Sequence, residues 1–249
     1  MKILALYSIK GGVGKTAAAV NLSYLAACDS ARTLVWDLDV QASLSFYFRT
    51  KARIRGGGKG LIGGKSDLDD LIKGSDFDNL DLLPSDFSFR NLDLYLDGRK
   101  NPINRIAKIL KPLAEQYDYV FLDCPPNLSL LSESVFGAAH ALISPIIPTT
   151  LSVRTFQQLQ KYIQKHSDCR VELLPFFSMV DLRKKLHRDV IETLSRDFPT
   201  LLNTKIPYSS EIEQMGIFRA PLAQHAPNSR SAIAFRELWA EIKQRIGDS

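Results

Sequence analysis

The chain of 249 residues is poor in cysteine, with Cys28, Cys124 and Cys169 in no CxxC pair and no metal-ligand spacing. So few, so scattered and odd in number, they exclude a disulfide scaffold and fit a reducing compartment. No apolar run approaches the ~18 residues of a membrane helix. The apolar start Met1–Tyr7 is too short for a signal peptide and runs straight into glycines. The reading is cytoplasmic, without an export signal. Charge of one sign is also lacking: Lys+Arg 32 against Asp+Glu 27 leaves +5, which permits nucleic-acid contact without requiring it. His140, His166, His187 and His225 join no triad or metal cluster and read as structural or surface residues. There are no repeats and no splitting linker, so residues 1–249 read as one domain. With 45% hydrophobic and 24% charged residues, collagen-like and low-complexity classes are excluded.

What is present is an alternation of short apolar runs and helical stretches. Strands are expected at 3–7, 33–36, 80–83, 119–122, 141–147, 173–180 and 205–207, with Pro145 a mild objection in the fifth. Helices are expected at 15–28 and 102–115, and after 183. Residues 51–66, rich in Gly and Lys, read as a mobile basic loop. Alternation of this kind implies an α/β fold with a mostly parallel twisted sheet, flanked by helices on both faces. Ligands in such sheets sit beyond the carboxyl ends of the strands, where Gly11–Thr16, Asp37, Asp39 and Asp123 fall.

Lys10-Gly11-Gly12-Val13-Gly14-Lys15-Thr16 lies between a strand and a helix. Its glycines let successive N–H groups close on a polyphosphate, and the helix adds its positive end. Lys15 would reach the β- and γ-phosphates, and the Thr16 hydroxyl would hold Mg²⁺. The general GxxxxGK[ST] form needs Gly at position 9, where Ile9 stands; the segment fits KGGxGK[ST] instead. Gly64-Lys65-Ser66 imitates the ending only: Lys59 occupies the required glycine position and no apolar strand precedes it. Asp37 and Asp39 end a strand two residues apart, a spacing that points both the same way. Asp123 ends another, the position from which an acid holds Mg²⁺ through water.

These segments resemble the ParA/MinD superfamily of P-loop NTPases with the deviant Walker A box. Val35–Ala42 is similar to its switch I (DxDPQG), with Val40 and Ala42 departing from Pro and Gly; Asp123-Cys124-Pro125-Pro126 matches its DxPP switch II. The likeness runs through Leu68–Ile72, Asn79–Ser85, Tyr117–Val120, Pro148–Ser152 and Val180–Leu186. The resemblance implies an ATP- and Mg²⁺-dependent homodimer with slow, partner-stimulated ATP hydrolysis. Lys10 would contact the partner subunit's nucleotide, Asp39 would position the attacking water, and Asp37 would support the metal and phosphate shell. Ala17, Met179 and Pro207 would complete the nucleotide pocket. Cys124, with no second cysteine in the switch regions, reads as a small buried residue. With the Walker box at residue 10, the expectation is the short form without an N-terminal helix-turn-helix.

Arg183, Lys184, Lys185 and Arg188 cluster at a helix start whose stripe would be Leu186, Val190, Leu194 and Phe198. With Arg219, they are the candidates for non-specific, salt-dependent DNA binding, which the resemblance places on the nucleoid. A second basic site after Ile206-Pro207 is not kept: Tyr208, Ser209, Ser210 and Glu211 stand there. Phe235, Leu238, Trp239, Ile242 and Ile246 form an amphipathic stripe, read as core-facing. The resemblance implies plasmid or chromosome partition with a ParB-like partner. The alternatives are positioning of a protein cargo such as carboxysomes or chemoreceptor clusters through an adaptor, a MinD-like membrane regulator, and a small-molecule P-loop ligase or kinase.

Overall fold

Apolar residues in unbroken runs of four or five need cover on both faces, and the buried strands of this chain receive it. A computed structural model describes residues 1–64, 66–165 and 171–247. Lys65, His166 and Cys169 lie outside the described residues, so the Gly64-Lys65-Ser66 segment is described only at its flanks. In chain order the first half runs β1 (Lys2–Leu6), α1 (Lys15–Cys28), β2 (Thr33–Asp37), α2 (Ser43–Tyr47), α3 (Gly57–Gly63), α4 (Leu68–Leu71), β3 (Lys73–Gly74), β4 (Leu80–Leu83), α5 (Leu92–Asp97) and α6 (Arg105–Leu110). The second half runs β5 (Tyr119–Asp123), α7 (Leu130–Ala138), β6 (Ala141–Ile146), α8 (Thr150–Lys165), β7 (Glu172–Val180), α9 (Lys185–Asp197), β8 (Lys205–Pro207), α10 (Ser210–Phe218), α11 (Leu222–His225) and α12 (Arg230–Arg245).

Among the described residues the strands form one eight-stranded sheet, ordered β3-β4-β2-β5-β1-β6-β7-β8. Every pair is parallel except β3 with β4. The two-residue period sorts the core: Ile3, Ala5, Leu34 and Trp36 pack on one face, Leu4, Leu6 and Val35 on the other. The first face is covered by α3, α5, α6 and α7, the second by α1 and α12. Pro145 is accommodated because β1 pairs only with Ala141–Ile143, so the proline lies beyond that ladder.

Three expectations need correction. Residues 51–66 are no open loop: α3 occupies Gly57–Gly63, with Ile54, Leu61 and Ile62 buried. Those three apolar side chains outweigh the glycines around them. The helix expected over 102–115 holds for Arg105–Leu110 and tightens to a 3₁₀ turn at Lys111–Leu113, because Pro112 lacks the donor that α-helical continuation requires. In α9 the buried stripe is not led by Leu186, which is 49% exposed; His187 is buried instead, its Nδ1 accepting the Asp181 amide at 3.1 Å.

The carboxyl-terminal stripe faces the sheet. Phe235, Leu238, Trp239 and Ile242 are buried, and each such side chain contributes about 1.5–3 kcal/mol. The Trp239 ring meets Tyr119 edge-on at 5.1 Å. Its indole Nε1 donates to Asp29 Oδ2 at 2.9 Å, and Lys243 Nζ reaches the same oxygen at 2.6 Å. Among the described residues no helix is long and apolar enough to cross a membrane.

Candidate functional site

The carboxyl ends of β1, β2 and β5 are neighbours, and their register sets the site. Asp123 pairs with Leu6 on one side and with Asp37 on the other. Two acids, both buried, therefore lie side by side on adjacent strands. Burial drives the Asp123 carboxyl well above the usual carboxylate range; the charge of Asp37 adds to this, while the Thr16 hydroxyl and Lys15 oppose it. Thr16 comes close without closing a hydrogen bond of normal geometry, so both Asp123 oxygens lack a partner among the described residues. Burial likewise pushes Asp37 up to about 6, against the hydrogen bonds it accepts.

Those bonds tie Asp37 to the next helix: the Ser45 amide donates to Oδ2 at 2.8 Å and the Ser45 hydroxyl at 2.7 Å. Sequence reasoning missed Ser45; its only signal was a serine one turn into the segment after the acids. Asp39 lies beyond the end of β2, so the strand period does not govern it. It is half-buried, and its Oδ1 accepts the Gln41 amide at 3.0 Å. Ala42 takes the left-handed φ of 54° where α2 begins, a conformation glycine adopts more freely.

The glycine loop turns the corner from β1 into α1. Gly14, at φ 96°, stands before the first turn of α1, and a Cβ there would meet Ser178 Oγ at 2.9 Å. Gly14→Ala is expected to cost about 1–3 kcal/mol in backbone strain, read as a fall in melting temperature of about 2–4 °C per kcal/mol. An unchanged melting temperature would contradict the strain. Gly11 and Gly12 are exposed, and Val13 anchors the loop in the core. Thr16 and Ala17 are half-buried in the first turn of α1.

Lys15 is buried, and among the described residues its ammonium makes one hydrogen bond, to the Lys10 carbonyl at 3.4 Å. Burial lowers its pKa; the charges of Asp123 and Asp39 act the other way. A desolvated cation with one long hydrogen bond, next to a carboxylate with none, suits an anion and a cation arriving together. Lys10 is half-buried, and among the described residues its ammonium forms no hydrogen bond or ion pair. Tyr7 links the loop strand to the segment after β5, its hydroxyl donating to the Asn127 carbonyl at 2.9 Å. Cys124 is buried with its thiol pushed up by burial.

Ser178 brings the end of β7 against the glycine loop, and with it Met179 and Pro207. Met179 has a φ of 54° at an irregularity in the β7–β8 ladder, where Val180 pairs with Pro207. The basic residues follow directly. Arg183, Lys184, Lys185 and Arg188 are exposed. Arg183 Nε donates to Asp181 Oδ1 at 2.9 Å, while Arg188 Nη1 donates to the carbonyls of Leu182 and Arg183 at 2.6 and 3.0 Å. Arg219 belongs to another neighbourhood: its Nε donates to the Phe46 carbonyl at 2.8 Å and its guanidinium lies over the Phe46 ring. His140 and His225 are engaged with the Ile3 amide and the Phe218 ring.

A family model described as an AAA domain matches residues 1–173. Over 248 residues the chain is 28% identical to the sporulation initiation inhibitor protein Soj of Bacillus subtilis, spanning 97% of this chain and 98% of Soj. Over 249 residues it is 31% identical to a ParA family protein of Chlamydia muridarum, spanning 97% of each. Among solved structures, the ATP complex of an aspartate-to-alanine variant of Cyanothece McdA superposes with a TM-score of 0.85 at 25% identity, covering 100% of this chain and 97% of that one. A likeness that spans both chains nearly end to end, on a sheet that ends in this glycine loop, shows that the chain belongs to the ParA-type family of P-loop partition ATPases.

Proposed function

We propose that this chain is an ATP-hydrolysing positioning or partition protein that dimerises on ATP and holds non-specific DNA in that state. The observation that carries the reading is the buried Lys15 ammonium, with one 3.4 Å hydrogen bond among the described residues, beside the Asp123 carboxylate, which has no hydrogen-bond partner among them. Lys15 and the amides of Gly11–Gly14 would hold the triphosphate. Thr16 and Asp123 would hold Mg²⁺, which when bound would neutralise phosphate charge. Asp39, more accessible than Asp37, would orient the attacking water. Lys10, whose ammonium has no hydrogen bond or ion pair among the described residues, would reach across to the nucleotide of a second copy. Light scattering of the full chain tests this: ATP with Mg²⁺ should give a dimer, ADP a monomer. A single copy under saturating ATP with turnover blocked would overturn the reading.

The DNA surface would be the exposed stretch Arg183–Lys185 with Arg188. The Arg183–Asp181 pair is solvent-exposed on the arginine side and therefore weak enough to yield to phosphate. Replacing Arg183 and Lys184 with Glu should weaken DNA binding and lower the slope of log K against log salt by roughly 0.9 per lost contact. A salt slope equal to that of the parent protein would remove this face from the interface.

A protein cargo is the second reading, favoured by the start of α10. There Tyr208 hydrogen-bonds Glu213 and Ser209 hydrogen-bonds Glu211, so acids stand where a second basic site would lie. A pulldown on the ATP-locked form distinguishes a DNA-bound partner from an adaptor.

A further inference from the structure

Away from the glycine loop, α3, α4 and α6 line a half-open cavity of about 390 Å³. It shares no lining residue with the site described above. Its volume falls in the range of small-molecule sites, about 300–1,000 Å³. One wall is apolar, from Leu61, Ile109 and Leu113, all buried. Arg105 and Lys108, one turn apart on α6, supply two cations.

Arg105 is the unusual element. Its Nε is buried and without a hydrogen-bond partner among the described residues. Among those residues no carboxylate lies within 4.0 Å of its guanidinium, although Asp67 and Asp69 line the same cavity. A buried N–H without an acceptor is a cost that folded proteins seldom leave standing. The guanidinium lies close to the Gly64 backbone: Nη2 is 2.8 Å from where a Cβ on Gly64 would stand. Gly64 has a φ of +68°, a conformation that favours glycine. Burial and the nearby charge of Arg99 both act against the Arg105 cation. A planar fork of donors so placed matches an oxyanion, and the second cation suits a dianion such as a phosphate monoester. Asp67 and Asp69 would accept hydroxyl or amine donors from the rest of the ligand.

We propose that this cavity binds a small phosphate-bearing molecule of about nucleotide size, its phosphate on Arg105 and Lys108 and its ring body against Leu61, Ile109 and Leu113. The probes are AMP and inorganic pyrophosphate, titrated calorimetrically into the full chain and into Lys15→Ala, Arg105→Gln and Lys108→Gln variants. AMP binding should saturate, survive Lys15→Ala, and weaken by about tenfold or more in Arg105→Gln, the loss expected for one charge-assisted contact. Lys108 is exposed, so Lys108→Gln should fold and still weaken binding severalfold, which keeps the test decisive should Arg105→Gln misfold. Pyrophosphate, lacking a ring, should bind more weakly than AMP to the Lys15→Ala chain. Absence of saturable AMP binding would overturn the proposal. So would loss of binding in Lys15→Ala alone, or unaltered binding in Lys108→Gln together with either unaltered binding or misfolding of Arg105→Gln.

Discussion

Lys15→Ala should abolish ATP binding while leaving the fold intact. The side chain is buried, yet among the described residues it makes a single 3.4 Å hydrogen bond, to the Lys10 carbonyl, so removing it breaks little of the protein's own structure. It also removes a cation whose burial is unfavourable, while taking from Asp123 a charge that steadies its carboxylate, so the two effects on the unliganded chain oppose each other. The nucleotide loses its charge-assisted contact in a water-poor pocket, a loss of roughly 2–5 kcal/mol. That corresponds to about 30-fold to several thousand-fold in affinity. Fluorescent-nucleotide titration reads the loss, and thermal melting without nucleotide checks the fold. ATP affinity within severalfold of the parent would mean that the loop holds phosphate without this lysine.

Asp39→Ala should separate binding from turnover. Asp37 is fully buried and anchors α2 through the Ser45 amide and hydroxyl; Asp39 is half-buried, and among the described residues its carboxylate accepts only the Gln41 amide. Losing Asp39 therefore leaves the frame of the site standing. A side chain that positions or activates water contributes about 10²–10⁴-fold, so ATP turnover should fall by that order. Dimers formed with ATP should persist and become longer-lived. Phosphate release and light scattering on the same sample read both quantities. Normal turnover would take the water-positioning role away from Asp39.

The parts of this molecule that could be read in the sequence are those where two local signals agree. Ile3–Tyr7 is apolar and runs into glycines and a lysine, so strand, turn and helix follow from chemistry within a few residues of one another. Asp123 was visible because an acid closing an apolar run, weak evidence alone, coincides with a glycine loop that also follows a strand. Signals in conflict misled. Around residue 57 glycine content pointed to a loop, while Leu61 and Ile62 supplied enough apolar surface to dock a short helix on α5 and α6. In α9 the stripe fails only at its first position: Val190, Leu194 and Phe198 pack on the core as expected, while Leu186 is exposed because the preceding turn is closed by His187, which finds a partner in the Asp181 amide. The tie between Asp37 and Ser45 was hidden for another reason: it depends on how α2 folds back over the end of β2, and no residue pattern encodes that return. The Arg105 cavity was equally out of reach, since it is assembled from three separate helices.

The docking of α12 bears on how deletions should be interpreted. Trp239 meets Tyr119 of β5 edge-on and, with Lys243, grips Asp29 at the end of α1, the helix that opens at the glycine loop. Cutting the chain before Arg230 would strip the α12 part of the cover from one side of the sheet, leaving α1, and loosen the far end of that first helix. Any loss of activity in such a shortened protein would report a damaged scaffold rather than a missing contact surface, whereas point changes on the solvent side of α12 leave the scaffold whole.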